Sequence, residues 1–268
     1  MVITGKTRLL AIVGDPIDRV RSPESFCRLF ELNGYDTIMI PVHVAPSDLA
    51  AVVAGLKRMR NLDGIIATMP HKAACLALAD EVLETGRLVG AVNALRPRPD
   101  GRWEADMFDG RGFVAGMRAH GHDPAGKHVA LIGAGGAGSA IAVSLCQAGI
   151  ASVAVHELDR VKAEQLSATL RAAFPRVAAR VGAPDLVDAD VLINATPIGM
   201  QAHDPLPWDL AGVRAGTIVG DVTTKPEVTP FIEAARAKCA ATVTGRDMYE
   251  GQVRELGAFF GYRFERAA

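Results

Sequence analysis

"HVALIGAGGAGSAIAVSL", residues 128–145, is the stretch whose reading decides the fold. A short β-type run over 128–133 passes directly into a glycine cluster and then into an Ala-rich run with helical character. Gly133, Gly135 and Gly138 stand in G-x-G-x-x-G spacing between that strand and that helix, the context in which the pattern marks dinucleotide binding. The first glycine permits a tight turn, the second lets the backbone approach a pyrophosphate, and the third lets helix pack on strand. The helix start then offers free N–H groups to phosphate. Ala134, Gly136 and Ala137 complete the expected cofactor loop.

The next β-type run, "SVAVHE" (152–157), ends at Glu157, at the distance from the glycines where an acid bonds the ribose 2′-hydroxyl of NAD. A carboxylate there repels the 2′-phosphate of NADP. NAD is therefore favoured, with NADP left open by Arg160 close by.

The same alternation of short strands and longer helices runs in both directions. Upstream lie "LLAIVG" (9–14), a helix near 22–33, "DTIMIPVHV" (36–44), a helix near 46–60 and "LDGIIAT" (62–68). Then come a hairpin turning at "RPDGR" and a helix near 109–120. Downstream, "VLINAT" (191–196) supplies another strand, and a last helix is expected over about 248–260. Such alternation predicts βαβ units and mostly parallel sheets. The fold class is α/β, two domains around a cleft with a Rossmann fold in the second half. The boundaries fall at 1–108 with 246–268 for a substrate-binding domain, and at 109–245 for the nucleotide domain.

Composition narrows the function. The 268 residues carry a formal net charge of -1 with scattered basic groups, which gives no electrostatic case for nucleic acid or a membrane surface. No apolar run reaches the length of a membrane span, and "MVITGKTRLLAIVGDP" is too brief for a signal segment. Four separated cysteines without C-x-x-C spacing read as buried thiols in a reducing compartment. A cytoplasmic monomer or homodimer acting on a small molecule is expected. His120 and His122 lack a neighbouring Cys or carboxylate cluster, so no metal is expected.

With the nucleotide half assigned, the first hundred residues are left for the substrate. There "TMPHKAACLALAD" (68–80) opens a helix with Lys72. A lysine at that place faces the positive end of the helix dipole, which disfavours its charged form and suits a group that exchanges protons. Oxidation of an alcohol by hydride transfer needs such a group for the hydroxyl proton.

Seven ordered segments resemble the shikimate and quinate dehydrogenases. "VGDPIDRVRSP" (13–23) is similar to G-N-P-I-x-x-S-x-S-P, "GIIATMPHK" (64–72) to G-x-N-V-T-x-P-x-K, and "GAVNAL" (90–95) to G-A-V-N-T-L. "DMFDGRGF" (106–113) resembles D-N-T-D-G-x-G, and "IGAGGAG" (132–138) the nucleotide loop. "NATPIGM" (194–200) resembles N-A-T-x-x-G-M, and "TGRDMYEGQ" (244–252) N-G-x-x-M-x-x-x-Q. The resemblance implies a catalytic pair of Lys72 and Asp109, the carboxylate orienting the ammonium near the reacting hydroxyl. Read alone, Asp109 is equally well an N-cap. The resemblance also implies substrate contacts from Ser22, Thr68, Asn93 and Gln252. It puts Asn194, Ala195, Thr196 and Val222 on the cofactor, with Gly245 and Met248 approaching the nicotinamide from the far side. The last helix would fold back onto the first half.

The implied activity is NAD(P)-dependent interconversion of a cyclic polyol acid, such as shikimate or quinate, with its 3-dehydro form. The departures matter. Val20 replaces the first serine of S-x-S, Ile66 the asparagine of G-x-N-V-T, Ala94 the threonine of G-A-V-N-T, and Thr224 the tyrosine after "GDV". Val20, Ser22 and Thr224 align with positions that hold the substrate carboxylate in the family. Each lost donor to a charged oxygen costs about 1.5–3 kcal/mol, unless His43, Thr223 or Lys225 makes up the loss. "HELDR" replaces the N-R-T of NADP-using members. The alternatives are a family member acting on a different cyclic polyol and a non-catalytic NAD-binding regulator. A dehydrogenase of amino acids or folate carbon units leaves "GDPIDRVRSP" unexplained.

Overall fold

The structure is a computed structural model that describes residues 2–18, 20–201 and 203–266. The chain divides into two compact units, Met1–Phe108 with Val253–Ala268, and Asp109–Gln252. The second crossing lies at Gln252/Val253, inside the last helix, whereas the sequence reading put it at 245/246. Gln252 and Met248 accordingly belong to the nucleotide unit.

The first unit begins with β1 (Arg8–Gly14), α1 (Ser22–Leu32), β2 (Thr37–His43), α2 (Leu49–Leu56) and β3 (Leu62–Ala67). It continues with α3 (Lys72–Leu76), β4 (Glu81–Val82), α4 (Glu84–Val89), β5 (Ala94–Pro97) and β6 (Trp103–Asp106). Its sheet runs β2-β1-β3-β5-β6-β4. β1 pairs in parallel with β2 and β3, and the β5–β6 hairpin closes antiparallel against β3. The hairpin turns at the predicted place, with Gly101 at φ +83°. α2 is shorter than the expected 46–60. Beyond Leu56 the N–H groups of Arg58 and Met59 return to the carbonyls of Gly55 and Leu56, the tight i→i−3 pattern that closes a helix.

Amphipathic spacing explains α1. Phe26, Leu29 and Phe30 recur at i, i+3 and i+4 and are buried. The end of the chain covers that face. Phe30 lies 4.7 Å from Tyr262 and 5.7 Å from Phe264 between ring centroids, and Asn33 Oδ1 accepts the N–H groups of Glu265 and Arg266 at 3.0 Å each.

The second unit comprises α5 (Asp109–Ala119), β7 (His128–Ile132), α6 (Gly136–Gln147), β8 (Ser152–His156), α7 (Arg160–Ala173) and β9 (Ala178–Val181). It continues with β10 (Val191–Asn194), β11 (Ile218–Asp221), α8 (Pro230–Ala237), β12 (Ala241–Val243) and the first half of α9 (Gly245–Phe259). All its strands pair in parallel, in the order β12-β11-β10-β7-β8-β9. This is the dinucleotide-binding order, which reverses between β7 and β10. The central strands are buried along nearly their whole length, as a sheet covered on both faces requires.

Cys75 and Cys146 are buried free thiols, Cys27 is half-buried and Cys239 is exposed, so burial does not extend to all four. Among the described residues no helix is long and apolar enough to cross a membrane. No group of three or more His, Cys, Asp or Glu among them could hold a metal ion.

Phe30→Ala is expected to lower the unfolding free energy by about 3–5 kcal/mol, the cost of a large aromatic cavity. Chemical denaturation followed by tyrosine fluorescence checks it; a loss below about 1 kcal/mol would mean that the aromatic cluster does not hold the chain end.

Candidate active site

The nucleotide loop grows out of β7. Gly133 sits at φ +98°, and a Cβ there would come within 2.9 Å of the Ala195 carbonyl. A Cβ on Gly138 would come within 2.1 Å of the Gly133 oxygen. Packing within the unit thus demands both glycines. Gly135 and Gly136 differ, because a Cβ on either meets nothing within 4 Å. No protein neighbour accounts for their lack of a side chain. An open backbone at the start of α6, where the first N–H groups of a helix have no intrahelical acceptor, fits the pyrophosphate of a dinucleotide. Ala137 follows in the first turn of the same helix.

Glu157 lies just past β8 and reaches back to this loop. Its Oε2 accepts the Ala134 N–H at 2.8 Å and its Oε1 the Asp159 N–H at 3.1 Å. The bond from Ala134 is the main cause that holds this carboxyl below its ordinary range. One loop N–H is therefore engaged by an ionised carboxylate at the mouth of the site.

At the end of β10, Asn194 is buried and organises the loop after it. Its Nδ2 donates to the Ile198 carbonyl at 2.9 Å, and its Oδ1 accepts from Thr196 N at 3.0 Å and Thr196 Oγ1 at 2.7 Å. Val222 N donates to the Asn194 carbonyl at 3.1 Å, which brings the ends of β10 and β11 together beside Ala195. Gly245 opens α9 against the Thr223 carbonyl. Thr244 and Asp247 cap that helix reciprocally. Met248 is half-buried one turn in.

Asp109, the first residue of α5, is only 5% exposed and its Oδ1 accepts from Gln252 Nε2. An N-cap role alone does not require that contact. It joins a predicted catalytic group to a predicted substrate group inside one unit.

In the first unit Thr68 lies at the carboxyl end of β3, Asn93 just before the antiparallel β5, and Ser22 at the start of α1. Ser22 begins α1 and is half-buried. Thr68 follows β3, gives its N–H to Val13 O at 3.0 Å and receives that of His71 at 2.8 Å. Lys72 begins α3, is half-buried, and its carbonyl accepts the Val92 N–H at 3.0 Å. Asn93 is buried with its Oδ1 on Phe108 N at 2.9 Å, and its carbonyl accepts the Ala67 N–H at 2.9 Å. Backbone bonds therefore tie Thr68, Lys72 and Asn93 into one surface.

Similarity to known proteins follows the same outline. The family model described as the shikimate dehydrogenase substrate binding domain matches residues 12–95. The curated shikimate dehydrogenase (NADP(+)) of Acidiphilium cryptum is 38% identical over 97% of this chain and 93% of that protein. The chain belongs to the shikimate dehydrogenase family. It is an NAD(P)-dependent oxidoreductase acting on a CH–OH donor. Two solved structures superpose closely on it. Shikimate 5-dehydrogenase from Listeria monocytogenes, in complex with shikimate and NAD, gives a TM-score of 0.92 at 26% identity, covering 98% of this chain and 95% of its own. Ligand-free 5-ketofructose reductase of Gluconobacter sp. strain CHM43 gives 0.91 at 30% identity, covering 97% and 95%.

Three features of this family member escape sequence reasoning. His71 is buried and its Nε2 bonds the Val44 carbonyl at 2.8 Å, anchoring the turn that presents Lys72. His120 pairs with Asp247 at 2.9 Å, a carboxylate distant in sequence. Asp221 is fully buried at the end of β11 and accepts from Thr223 N at 2.9 Å and Thr229 Oγ1 at 2.8 Å. The only signal for Asp221 was an acid closing the apolar run "IVGD".

Gly135→Ala should leave the melting temperature within about a degree of wild type while raising the dissociation constant for the dinucleotide at least about tenfold, because the new methyl group meets ligand and not protein. Gly133→Ala should instead lower the melting temperature. Calorimetric titration with thermal melting separates the two; equal effects of both substitutions would count against the assignment.

Burial raises the Asp221 carboxyl above its ordinary range despite its donors. A carboxyl raised in the folded state contributes stability that is fully present below its unfolded value of about 3.9 and is lost as pH rises through the folded value. Melting curves between pH 4 and pH 7 should therefore decline less in Asp221→Asn than in wild type.

Proposed function

We propose that this protein oxidises a secondary ring alcohol of a cyclic polyol acid of the shikimate or quinate type, and reduces the matching ketone, with Lys72 and Asp109 handling the proton. The carrying observation is the Asp109 carboxyl group, buried yet held by the side-chain amide of Gln252, a polar pair that burial tolerates only when it is hydrogen-bonded. Lys72 Nζ takes the hydroxyl proton during oxidation and returns it during reduction. Asp109 orients that amine. Thr68, Asn93, Ser22 and Gln252 fix the ring by its hydroxyls.

Residues 133–138, Glu157, Asn194, Ala195, Thr196, Val222, Gly245 and Met248 would hold the dinucleotide. When bound, its nicotinamide accepts or returns the hydride. NAD is the preferred form. An ionised Glu157 on the Ala134 N–H matches a free ribose hydroxyl and opposes a phosphate, and the exposed Leu158 beside it offers no charge.

A second reading replaces the acid with a polyol or keto sugar lacking a carboxylate. Val20 and Ile66 favour it, since neither side chain can donate to a carboxylate, and so does the likeness to a protein whose name gives 5-ketofructose as its substrate.

Initial rates with shikimate, quinate and 5-ketofructose, each with both coenzymes, test these readings. Lys72→Ala should lower kcat by about 10²–10⁴-fold, and Asp109→Asn by a similar factor. Glu157→Gln should narrow the preference for NAD. Unchanged rates in Lys72→Ala would exclude the proton-transfer role, and bound NAD without turnover of any substrate would favour a regulator.

A further inference from the structure

The substrate half carries a carboxyl–imidazole pair that the chemistry above does not use. β1 and β2 run in parallel with Gly14 opposite His43, and His43 Nε2 lies 2.8 Å from Oδ1 of Asp15, the residue after β1. Both side chains face solvent, at 60% and 35% exposure. The same strand ends hold the rest of this surface. Asp15 N donates to the Met69 carbonyl at 3.0 Å, Thr68 N to Val13 O at 3.0 Å, and Val44 N to Gly14 O at 3.2 Å. Val44 O in turn receives the His71 ring, one residue before Lys72. Asp15, His43, Thr68 and the turn that presents Lys72 therefore share one edge, the carboxyl ends of parallel strands, where α/β sheets bind their ligands.

We infer that Asp15 and His43 are specificity-determining residues that recognise hydroxyl groups and so select, on the second reading above, a substrate that presents no charge to them. An exposed pair of this kind adds little to stability, so the fold does not depend on it. A carboxylate accepts only, an imidazole can both donate and accept, and a hydroxyl does either; two adjacent hydroxyls satisfy the pair fully. A substrate carboxylate would set two acceptor-only anions against each other. Among the described residues of the neighbouring loop, Arg21, exposed before α1, would act in the opposite sense and Asp18, also exposed, in the same sense. This inference rests on the second reading above, with the surface around Lys72 as the substrate side.

The test compares shikimate with its methyl ester, which keeps the ring and hydroxyls without the charge, and adds D-fructose as a neutral ketose. Dissociation constants are measured by calorimetry on wild type, Asp15→Asn and His43→Ala. Wild type should bind the ester at least about tenfold more tightly than the acid, and Asp15→Asn should bring that ratio close to one by strengthening the acid. His43→Ala should weaken both neutral ligands. Equal or tighter binding of the acid by wild type, an unchanged ratio in Asp15→Asn, or binding of neither neutral ligand would each overturn the inference. Lys72→Ala, measured alongside, keeps the readings apart: turnover lost with the ratio intact concerns the proton alone, and turnover retained removes the Lys72 role without touching the ratio.

Discussion

The nucleotide unit depends on a single close approach, the carbonyl of Gly133 lying where a side chain on residue 138 would stand. That contact lets α6 begin directly beyond β7, in line with the strand ends. Once the helix starts there, its first N–H groups open onto the reversal point between β7 and β10, and Ala195 packs beneath the turn. Glu157, Asn194 and Val222 reach the same place because β8, β10 and β11 end level with β7 in a parallel sheet. The positions of Glu157, Asn194 and Val222 thus follow from strand register and from the two glycines that packing demands.

The carboxylates are used in distinct ways that burial and partners decide. Asp221 is sealed under two hydroxyl-bearing loops and organises backbone. Glu157 is more open, held ionised by the loop it braces. Asp109 is buried yet joined to the Gln252 amide. Asp15 faces solvent beside His43. Chemistry belongs with the group that is both shielded and partnered by a side chain able to touch a ligand, and recognition with the groups left facing outward.

Membership of the shikimate dehydrogenase family is compatible with the departures at Val20, Ile66, Ala94 and Thr224. The residues proposed for proton transfer and coenzyme binding lie at helix starts and strand ends fixed by packing. Of the substituted positions, Val20 and Thr224 lie on loops, which accept change at little cost to the fold, whereas Ile66 lies in β3 and Ala94 opens β5. A family can keep its reaction while its substrate end changes character.

The sequence by itself determined the α/β alternation, the nucleotide loop, the helix opened by Lys72 and the hairpin at "RPDGR". Each is written in local periodicity or in glycine and proline punctuation, which act over a few residues. The tertiary structure decided what depends on residues distant in sequence. It set the burial of Asp221 between strands, the reach of Glu157 to Ala134 and the Gln252 contact of Asp109. It also set the pairing of His43 with Asp15, the His71 anchor, and the short course of α2 where i→i+4 bonding gave way. In these cases the deciding partner lies on another strand or helix, and its distance is fixed by sheet register and helix packing, which no local pattern encodes.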